Sequence, residues 1–252
     1  MFLLSTLCLT VLALPAASAP VRDVSSDETL TFERSESKRG QAPQATSATA
    51  AEHEIQPANS NVSNDTKRVL SYIASLPERE NNRVISGQHL VYGIENVHEG
   101  YQEHIIRLHD VTGKWVGMIG ANYGHGATAA QTADGNELLI DYWNSGGLVE
   151  IDYMPNNPWT GGDAWDTGQS NLDDLINPES DVYSVWMSKL DIAAAGLAEL
   201  RDAGIVVLWR PFPEMTWQDT FWWDVGTCST DPTPFVDAWR HMYDHFTITK
   251  GL

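Results

Sequence analysis

The feature that most constrains the fold of this chain is a fourfold alternation of a short apolar run with a longer amphipathic segment. The apolar runs predict strands at 84–89, 115–123, 148–154 and 205–211. The amphipathic segments predict helices at 101–111, 136–143, 182–202 and 234–246. Successive strand–helix units are typical of a parallel sheet, and the acidic and aromatic residues that follow the strands favour a (β/α) barrel with its site at their carboxyl ends. The sequence therefore predicts an α/β fold with four such units, whereas a complete (β/α)8 TIM barrel has eight and needs roughly 250 residues.

The first part of the chain differs in composition from the part that carries this alternation. Residues 1–19 are an apolar run that closes on small residues, which is typical of a secretory signal peptide. Residues 20–64 contain few large apolar side chains and predict a disordered propeptide or linker. N-glycosylation sequons at Asn61 and Asn64 agree with a secreted, extracellular protein. The folded domain is predicted at 65–252.

Charge and cysteine content narrow the possible partners. The formal net charge is -19, which argues against binding to nucleic acid or to an anionic membrane surface, since both require basic residues. A neutral polysaccharide is compatible with this charge. Cys8 leaves with the predicted signal peptide and Cys228 remains alone. No group of cysteines or histidines has the spacing of metal ligands, so neither a metal nor a cofactor is expected.

Residues 206–215 carry the strongest chemical signal in the chain. An apolar strand ends at Arg210, and Glu214 follows it shortly before an aromatic run that includes Trp217, Phe221, Trp222 and Trp223. A carboxylic acid can protonate a glycosidic oxygen, and indole faces stack on pyranose rings while they exclude water. The motif therefore predicts that Glu214 lies at a strand mouth, among indoles that desolvate it, and acts as a proton donor on a polysaccharide. In the alternative interpretation Glu214 is an ordinary loop carboxylate and the tryptophans fill the core.

At these residues the chain resembles glycoside hydrolase family 26, the β-mannanase family of a large clan of retaining (β/α)8 enzymes. The matching segments are 85–89, 116–123, Asn157-Pro158 with Gly161-Gly162, and 209–215 with 221–223. The resemblance implies that Glu214 is the catalytic acid/base, that Arg210 lies in the site, and that Trp222 or Trp223 stacks on the sugar. It also implies a mannan-type β-glycan as the partner.

Three departures from the family pattern bear on activity. Family members usually carry a histidine immediately before the acid/base, where this chain has Pro213, and another at the position of Met154. Both departures predict a substrate preference that differs from that of typical mannanases. In the family the nucleophile is a glutamate after the seventh strand, which is expected beyond Leu252. The resemblance therefore implies a barrel domain truncated after its fourth βα unit.

Other residues remain candidates for the site. Glu150 and Asp152 share strand parity and are alternatives for a second carboxylate. The substrate-binding candidates are Arg210, Tyr123, Trp159, Trp217, Trp222 and Trp223, and Trp165 is a further candidate platform. The loop acids Asp163, Asp166, Asp219 and Asp224 are interpreted as turn residues, and His89, His98 and His125 as structural or rim residues.

Two functions remain open from the sequence. One is a secreted endo-1,4-β-mannanase-type hydrolase with a retaining mechanism and Glu214 as the proton donor. The other is an inactive fragment, or a protein that binds a glycan without turnover. With a single carboxylate supplied, the sequence predicts that this chain alone is inactive and that its open sheet edges favour association.

Overall fold

The computed structural model of this chain describes residues 56–80, 84–90, 92–224 and 231–252. The predicted signal peptide, the linker up to residue 55 and Cys228 lie outside the described residues, so the expectations about them remain predictions. None of the helices in the described ranges is both long and apolar enough to cross a membrane.

Four parallel strands form one sheet, in the order in which they occur in the chain. They are β1 (Gly87–His89), β2 (Met118–Asn122), β3 (Leu148–Tyr153) and β4 (Val207–Pro211). Each strand lies within the run that predicts it, and helices separate the strands along the chain. The predicted parallel α/β fold is therefore confirmed, and its loops at the carboxyl ends of the strands lie on one edge of the sheet.

Six α-helices accompany the sheet in the described part of the chain. They are α1 (Asn64–Ala74), α2 (Val97–Gly100), α3 (Arg107–Thr112), α4 (Ala129–Asn144), α5 (Asp181–Asp202) and α6 (Thr233–Asp244). A π-helical turn, Tyr101–Ile106, joins α2 to α3, and a second one, His245–Thr249, follows α6. Short 3₁₀ turns lie at Leu76–Glu78, Ile94–Asn96 and Leu172–Leu175.

Two differences from the predicted helices have local causes. Helix α4 begins at Ala129 instead of residue 136, because the side chains of Thr128 and Gln131 form a capping box at its start. Helix α1 was not among the predicted helices. Its first turn is capped by Ser63, whose hydroxyl accepts a hydrogen bond from the Thr66 backbone N–H at 3.0 Å.

The two faces of the sheet have opposite chemistry because successive strand residues alternate in direction. Ile119, Val149 and Ile151 are fully buried on the helix-covered face. At the carboxyl end of that face Tyr153 packs against Trp186 of α5, with ring centroids 6.3 Å apart. The opposite face carries the polar residues of β3 and β4. The strands thus place an apolar layer against the helices and hold their charged side chains together on the inner face.

Tyr123 lies on the helix-covered side of the sheet, where it contacts α4 and α5. Its hydroxyl donates a hydrogen bond to Asn136 Oδ1 at 2.5 Å, and a Cβ atom at Gly196 would lie only 2.9 Å from its ring. Burial raises the pKa of Tyr123, as expected for a hydroxyl in the core. The prediction that Tyr123 binds substrate is therefore wrong, since its ring is enclosed behind the sheet.

Candidate active site

Glu214 lies in a strained turn directly after the carboxyl end of β4. Phe212, Glu214 and Asp219 all have left-handed backbone conformations, with φ angles of 51°, 57° and 57°. Such conformations cost non-glycine residues on the order of 1–3 kcal/mol each and concentrate at functional sites. The Glu214 side chain is exposed and makes no hydrogen bond within the described part of the chain. The carboxyl thus lies at the strand mouth, as predicted, but the expected desolvation by surrounding indoles is not observed, because the side chain is exposed to solvent.

Trp222 and Trp223 are fully enclosed and hold this turn from behind. Their exposed fractions are 1% and 0%. Trp223 Nε1 donates to the carbonyl oxygen of Pro213 at 2.9 Å, and Trp222 Nε1 donates to that of Pro155 at 2.7 Å. This contradicts the prediction that either indole stacks on a sugar, because neither has a face open to a ligand. The alternative interpretation, in which these tryptophans belong to the core, is the correct one for both.

Trp217 and Trp159 keep more of their surface available. Trp217 is 60% exposed, and its backbone N–H donates to the Glu214 carbonyl oxygen at 2.9 Å, so its indole lies beside the acid-bearing turn. Trp159 is half-buried and packs edge-on against Trp222, with ring centroids 5.6 Å apart. Trp217 is therefore the indole of this turn that is free to contact a ligand, and Trp159 offers only part of its ring.

Asn157 organises the long loop between β3 and α5. Its Nδ2 donates to the carbonyl oxygens of Asp166 and Gln169 at 2.6 and 2.9 Å. Its Oδ1 accepts hydrogen bonds from the backbone N–H groups of Trp159 and Thr160 at 2.9 and 3.2 Å. A fully buried amide that makes four hydrogen bonds fixes the backbone of this loop. The Asn-Pro motif of the sequence is thus a structural centre rather than a ligand contact.

Two of the four loop acids, Asp163 and Asp166, behave as the sequence predicts for turn residues. Asp163 Oδ1 accepts a hydrogen bond from the Trp165 backbone N–H at 3.0 Å. Asp166 Oδ1 accepts one from the Gly168 backbone N–H at 2.9 Å, and its other carboxylate oxygen accepts one from Thr160. These local bonds are the Asx-type turns that aspartate forms in glycine-rich loops.

Arg210 joins two carboxylates on the inner face of the sheet. Its Nη2 donates to Asp152 Oδ2 at 2.7 Å and its Nε to Glu150 Oε1 at 3.0 Å. His89, the last residue of β1, places Nε2 3.3 Å from Asp152 Oδ2. The shared parity of Glu150 and Asp152, inferred from the sequence, is confirmed by these contacts. His89 was interpreted as a structural or rim residue, and only the register of β1 with β2 and β3 shows that it belongs to this cluster.

Gly120 of β2 provides the space that the cluster occupies. A Cβ atom at this position would lie 2.5 Å from Glu150 Oε2 and 2.8 Å from His89 Cδ2. A residue larger than glycine would press on both the imidazole and the Glu150 carboxylate, and these side chains would have to shift. Donor atoms of His89, Glu150 and Asp152 lie within 4.8 Å of one another, which is close enough to hold a cation. Because the Arg210 guanidinium already supplies positive charge to both carboxylates, we interpret the group as an arginine-bridged carboxylate pair.

The two carboxyl groups of this pair titrate in opposite directions. Burial, together with a hydrogen bond to Asp152 and repulsion from its charge, raises the pKa of Glu150 to about 8. Burial also opposes ionisation of Asp152, but hydrogen bonds from His89 and Glu150 and the charge of Arg210 outweigh it and lower the pKa of Asp152. At neutral pH the arrangement therefore favours a protonated Glu150 beside an ionised Asp152.

Replacing Glu150 with glutamine should change how stability depends on pH. The pKa of Glu150 rises from an ordinary 4.5 to about 8 on folding. The stability that its bound proton adds to the folded state is therefore fully present below pH 4.5 and is lost as pH rises through about 8. The slope for this one proton is at most about 1.4 kcal/mol per pH unit. Glutamine mimics the protonated acid, so Glu150→Gln should lose less stability than the unsubstituted chain between pH 5 and 8. Denaturant unfolding across this range measures the difference, and parallel curves for the two proteins would contradict the assignment.

Comparison with known proteins places these features in a family. A family model described as glycosyl hydrolase family 26 matches residues 58–252. The chain is 34% identical over 211 residues to a mannan endo-1,4-beta-mannosidase A and B of Caldalkalibacillus mannanilyticus, an alignment that covers 77% of this chain and 39% of that protein. It is 30% identical over 212 residues to a mannan endo-1,4-beta-mannosidase of Bacillus subtilis, which covers 79% of this chain and 58% of that protein.

Solved structures agree with the sequence relatives. The structure of Bacillus subtilis mannanase superimposes with a TM-score of 0.68 at 28% identity, and the match covers 79% of this chain and 63% of that one. Such mannanases are (β/α)8 barrels, so the predicted barrel class is confirmed for the four strands described. The chain spans 39% and 58% of the lengths of the two mannosidases above.

Proposed function

Because the chain belongs to glycosyl hydrolase family 26, we propose that it supplies the proton-donating half of a β-mannan hydrolase site, with Glu214 as the acid/base. The observation that carries this proposal is the position of Glu214. A strained turn at the carboxyl end of β4 exposes its carboxyl group, and that end of the strands is where barrel enzymes assemble their sites. Arg210 lies four residues before it, and the exposed Trp217 lies three residues after it.

The proposed reaction is a retaining hydrolysis of an internal β-1,4 bond. Glu214 would protonate the leaving oxygen while a second carboxylate, about 5 to 5.5 Å away, attacks the anomeric carbon. Glu150 and Asp152 were alternatives for that second carboxylate. Both are engaged by Arg210, and burial favours protonated Glu150, so neither suits attack. We therefore propose that neither of these two residues is the attacking carboxylate.

A direct test is the release of reducing sugar from galactomannan by a form of the protein that shows turnover, with its Glu214→Ala variant as the control. Turnover that disappears in the variant supports the hydrolase. Turnover that the variant retains assigns the reaction to another acid or to a contaminating enzyme.

A second candidate function is glycan binding without turnover. Exposed aromatic side chains at the carboxyl ends of the strands, including Trp217 and Trp165, favour it, because such rings bind sugars whether or not a bond is cleaved. Binding of galactomannan without release of reducing sugar by any form of the protein, including one that carries the family's second carboxylate, would select this function.

Secretion forms part of the same proposal, since a polymeric mannan is too large to enter a cell intact. We expect the mature protein in the culture medium of a secreting host to lack residues 1–19. Sequencing of its amino terminus tests this, and a chain that begins at Met1 in the medium would contradict cleavage of a signal peptide.

The substrate preference should depart from that of mannanases with both family histidines. Met154 is buried and Pro213 has no side-chain donor, so two hydrogen bonds to sugar hydroxyls are absent. Each missing bond costs roughly 1 kcal/mol, or about a fivefold change in rate. We therefore expect Pro213→His to raise kcat/KM for linear mannan by about fivefold relative to that for glucomannan. Equal kcat/KM ratios for the variant and the unsubstituted chain would show that this position does not set the preference.

A further inference from the structure

Asn122, the last residue of β2, joins the ends of two strands through its side chain. Its register partner is the inward-facing Asp152, and its exposed fraction is only 1%. Its Oδ1 accepts hydrogen bonds from the backbone N–H groups of Gly124 and Met154, at 2.7 and 3.3 Å. Gly124 lies in the loop that leaves β2, and Met154 directly follows β3. One side-chain oxygen therefore holds the loops after β2 and β3 to each other.

The backbone around this contact is tightly fitted. The His125 backbone N–H donates to the Met154 carbonyl oxygen at 3.2 Å, so both backbone polar groups of Met154 are bound at the end of β2. A Cβ atom at Gly124 would lie 2.0 Å from that carbonyl oxygen and 2.9 Å from Asn122 Oδ1. Asn122 Nδ2 is buried and has no hydrogen-bond partner among the residues that the structure describes. The acceptor oxygen, rather than the amino group, therefore carries the hydrogen bonds of this side chain.

Further hydrogen bonds continue from the end of β3 to the turn that carries Glu214. The carbonyl oxygen of Pro155, two residues after β3, accepts a hydrogen bond from Trp222 Nε1 at 2.7 Å. The neighbouring Trp223 donates from Nε1 to the carbonyl oxygen of Pro213 at 2.9 Å, and Pro213 immediately precedes Glu214. The two indoles are fully buried and contact each other edge-on, with centroids 5.2 Å apart. Because a close-packed interior transmits displacement, movement of one indole displaces the other.

We propose that Asn122 is a positioning residue for Glu214. By fixing the backbone after β3, its side-chain oxygen fixes Pro155, and through Trp222 and Trp223 it sets where the turn holds the Glu214 carboxyl. The turn needs such support, because a left-handed backbone with φ of 57° at Glu214 persists only where surrounding contacts hold it. The role of Glu214 as a proton donor rests on the proposed function, whereas the connection from Asn122 to the turn rests on these hydrogen bonds alone.

Hydrogen exchange of the Trp222 indole N–H, measured by NMR on the purified chain, tests this connection without requiring turnover. The reference is the backbone N–H of Ile151, a fully buried residue of β3, which pairs with a strand on each side. Exchange at such a position reports global unfolding. We expect Asn122→Ala to speed exchange at Trp222 by about tenfold more than at Ile151, because the segment around Pro155 loosens before the whole chain unfolds.

Two further variants make the exchange measurement specific. Asn122→Asp keeps the acceptor oxygen and loses no hydrogen bond from Nδ2, so exchange at Trp222 relative to Ile151 should stay close to that of the unsubstituted chain. Asn136→Ala is the matched control. It removes another fully buried amide, which joins α4 to α5 on the helix-covered side of the sheet, and it should speed exchange at Trp222 and Ile151 by the same factor.

The effect on Glu214 is measured in a form of the protein that shows turnover. Asn122→Ala should lower kcat/KM for galactomannan by about tenfold, and kcat/KM for an aryl mannoside with an acidic phenol far less, because only the polymer needs a well-placed proton donor. A loss of folded protein would instead lower both values equally.

Each outcome decides the proposal. Equal factors at Trp222 and Ile151 in Asn122→Ala overturn the connection, as does Asn122→Asp that exchanges like the alanine variant, or selective loosening of Trp222 in Asn136→Ala. Selective exchange with equal losses on the two substrates assigns Asn122 to the fold alone and overturns its positioning role. Selective exchange in a protein that shows no turnover in any form supports the connection and removes the hydrolase.

Discussion

Glu214→Gln should lower the turnover of galactomannan by at least about a hundredfold, which corresponds to about 2.7 kcal/mol of lost transition-state stabilisation. Glutamine keeps the size and hydrogen-bonding capacity of the side chain but cannot donate a proton to the leaving oxygen. Because the Glu214 side chain is exposed and the turn is held by backbone contacts, the substitution should leave the fold unchanged. The measurement is kcat for release of reducing sugar from galactomannan, in any form of the protein that shows turnover.

A change of leaving group makes this prediction specific for a proton donor. An aryl mannoside with an acidic phenol needs little protonation to depart, so Glu214→Gln should lower kcat/KM for its hydrolysis far less than kcat/KM for the polymer. Glu137→Gln, at an exposed glutamate of α4, is the matched control and should behave like the unsubstituted protein with both substrates. An equal loss of kcat/KM on polymer and aryl mannoside would exclude the proton-donor role.

Trp223→Ala should destabilise the folded chain by about 3–5 kcal/mol, because it removes a completely buried indole and leaves a cavity. The matched control is Trp217→Ala. It removes the same side chain from the same segment, but from an exposed position, and should change the free energy of unfolding by no more than about 0.5 kcal/mol. Denaturant unfolding of the two variants measures the difference.

Trp223→Phe distinguishes the packing of the buried ring from its role in positioning the turn that carries Glu214. It keeps much of the ring but removes the hydrogen bond from Nε1 to the Pro213 carbonyl oxygen. We expect kcat to fall even under conditions in which the variant is fully folded. The reason is that Pro213, whose carbonyl oxygen loses the hydrogen bond, immediately precedes Glu214. If Trp223→Ala were as stable as Trp217→Ala, the tryptophan would be a surface residue, as the sequence first suggested.

Much of the fold was predictable because it depends on local patterns. Each strand lies within its apolar run, and α5 begins within one residue of the predicted start, because these signals depend only on periodicity and on flanking glycine. The early start of α4 depends on a reciprocal side-chain cap at Thr128 and Gln131, which the apolar periodicity does not show.

The site was predicted less completely, and the errors have a common physical origin. A tryptophan that follows an acid can stack on a ligand or fill the core, and the sequence does not show which side of the turn it takes. Trp222 and Trp223 point inward, whereas Trp217 points outward. The error at Tyr123 could have been avoided by considering strand alternation. Asn122 pairs with the inward-facing Asp152, so the next residue, Tyr123, faces the opposite side of the sheet. The contact between His89 and Asp152 depends on strand register, which no local pattern specifies.

The hydrogen bonds of Trp222 couple the motions of two long loops, the loop after β3 and the loop after β4. Its backbone N–H donates to the Ala164 carbonyl oxygen at 3.2 Å, and its indole N–H to that of Pro155, so the loop after β3 cannot lift away without releasing the segment that follows Glu214. Amide protons on both loops should therefore exchange with solvent through one shared opening event. A ligand that contacts only Trp165 would then slow exchange in the segment around Trp222 and would also restrain the turn that carries Glu214.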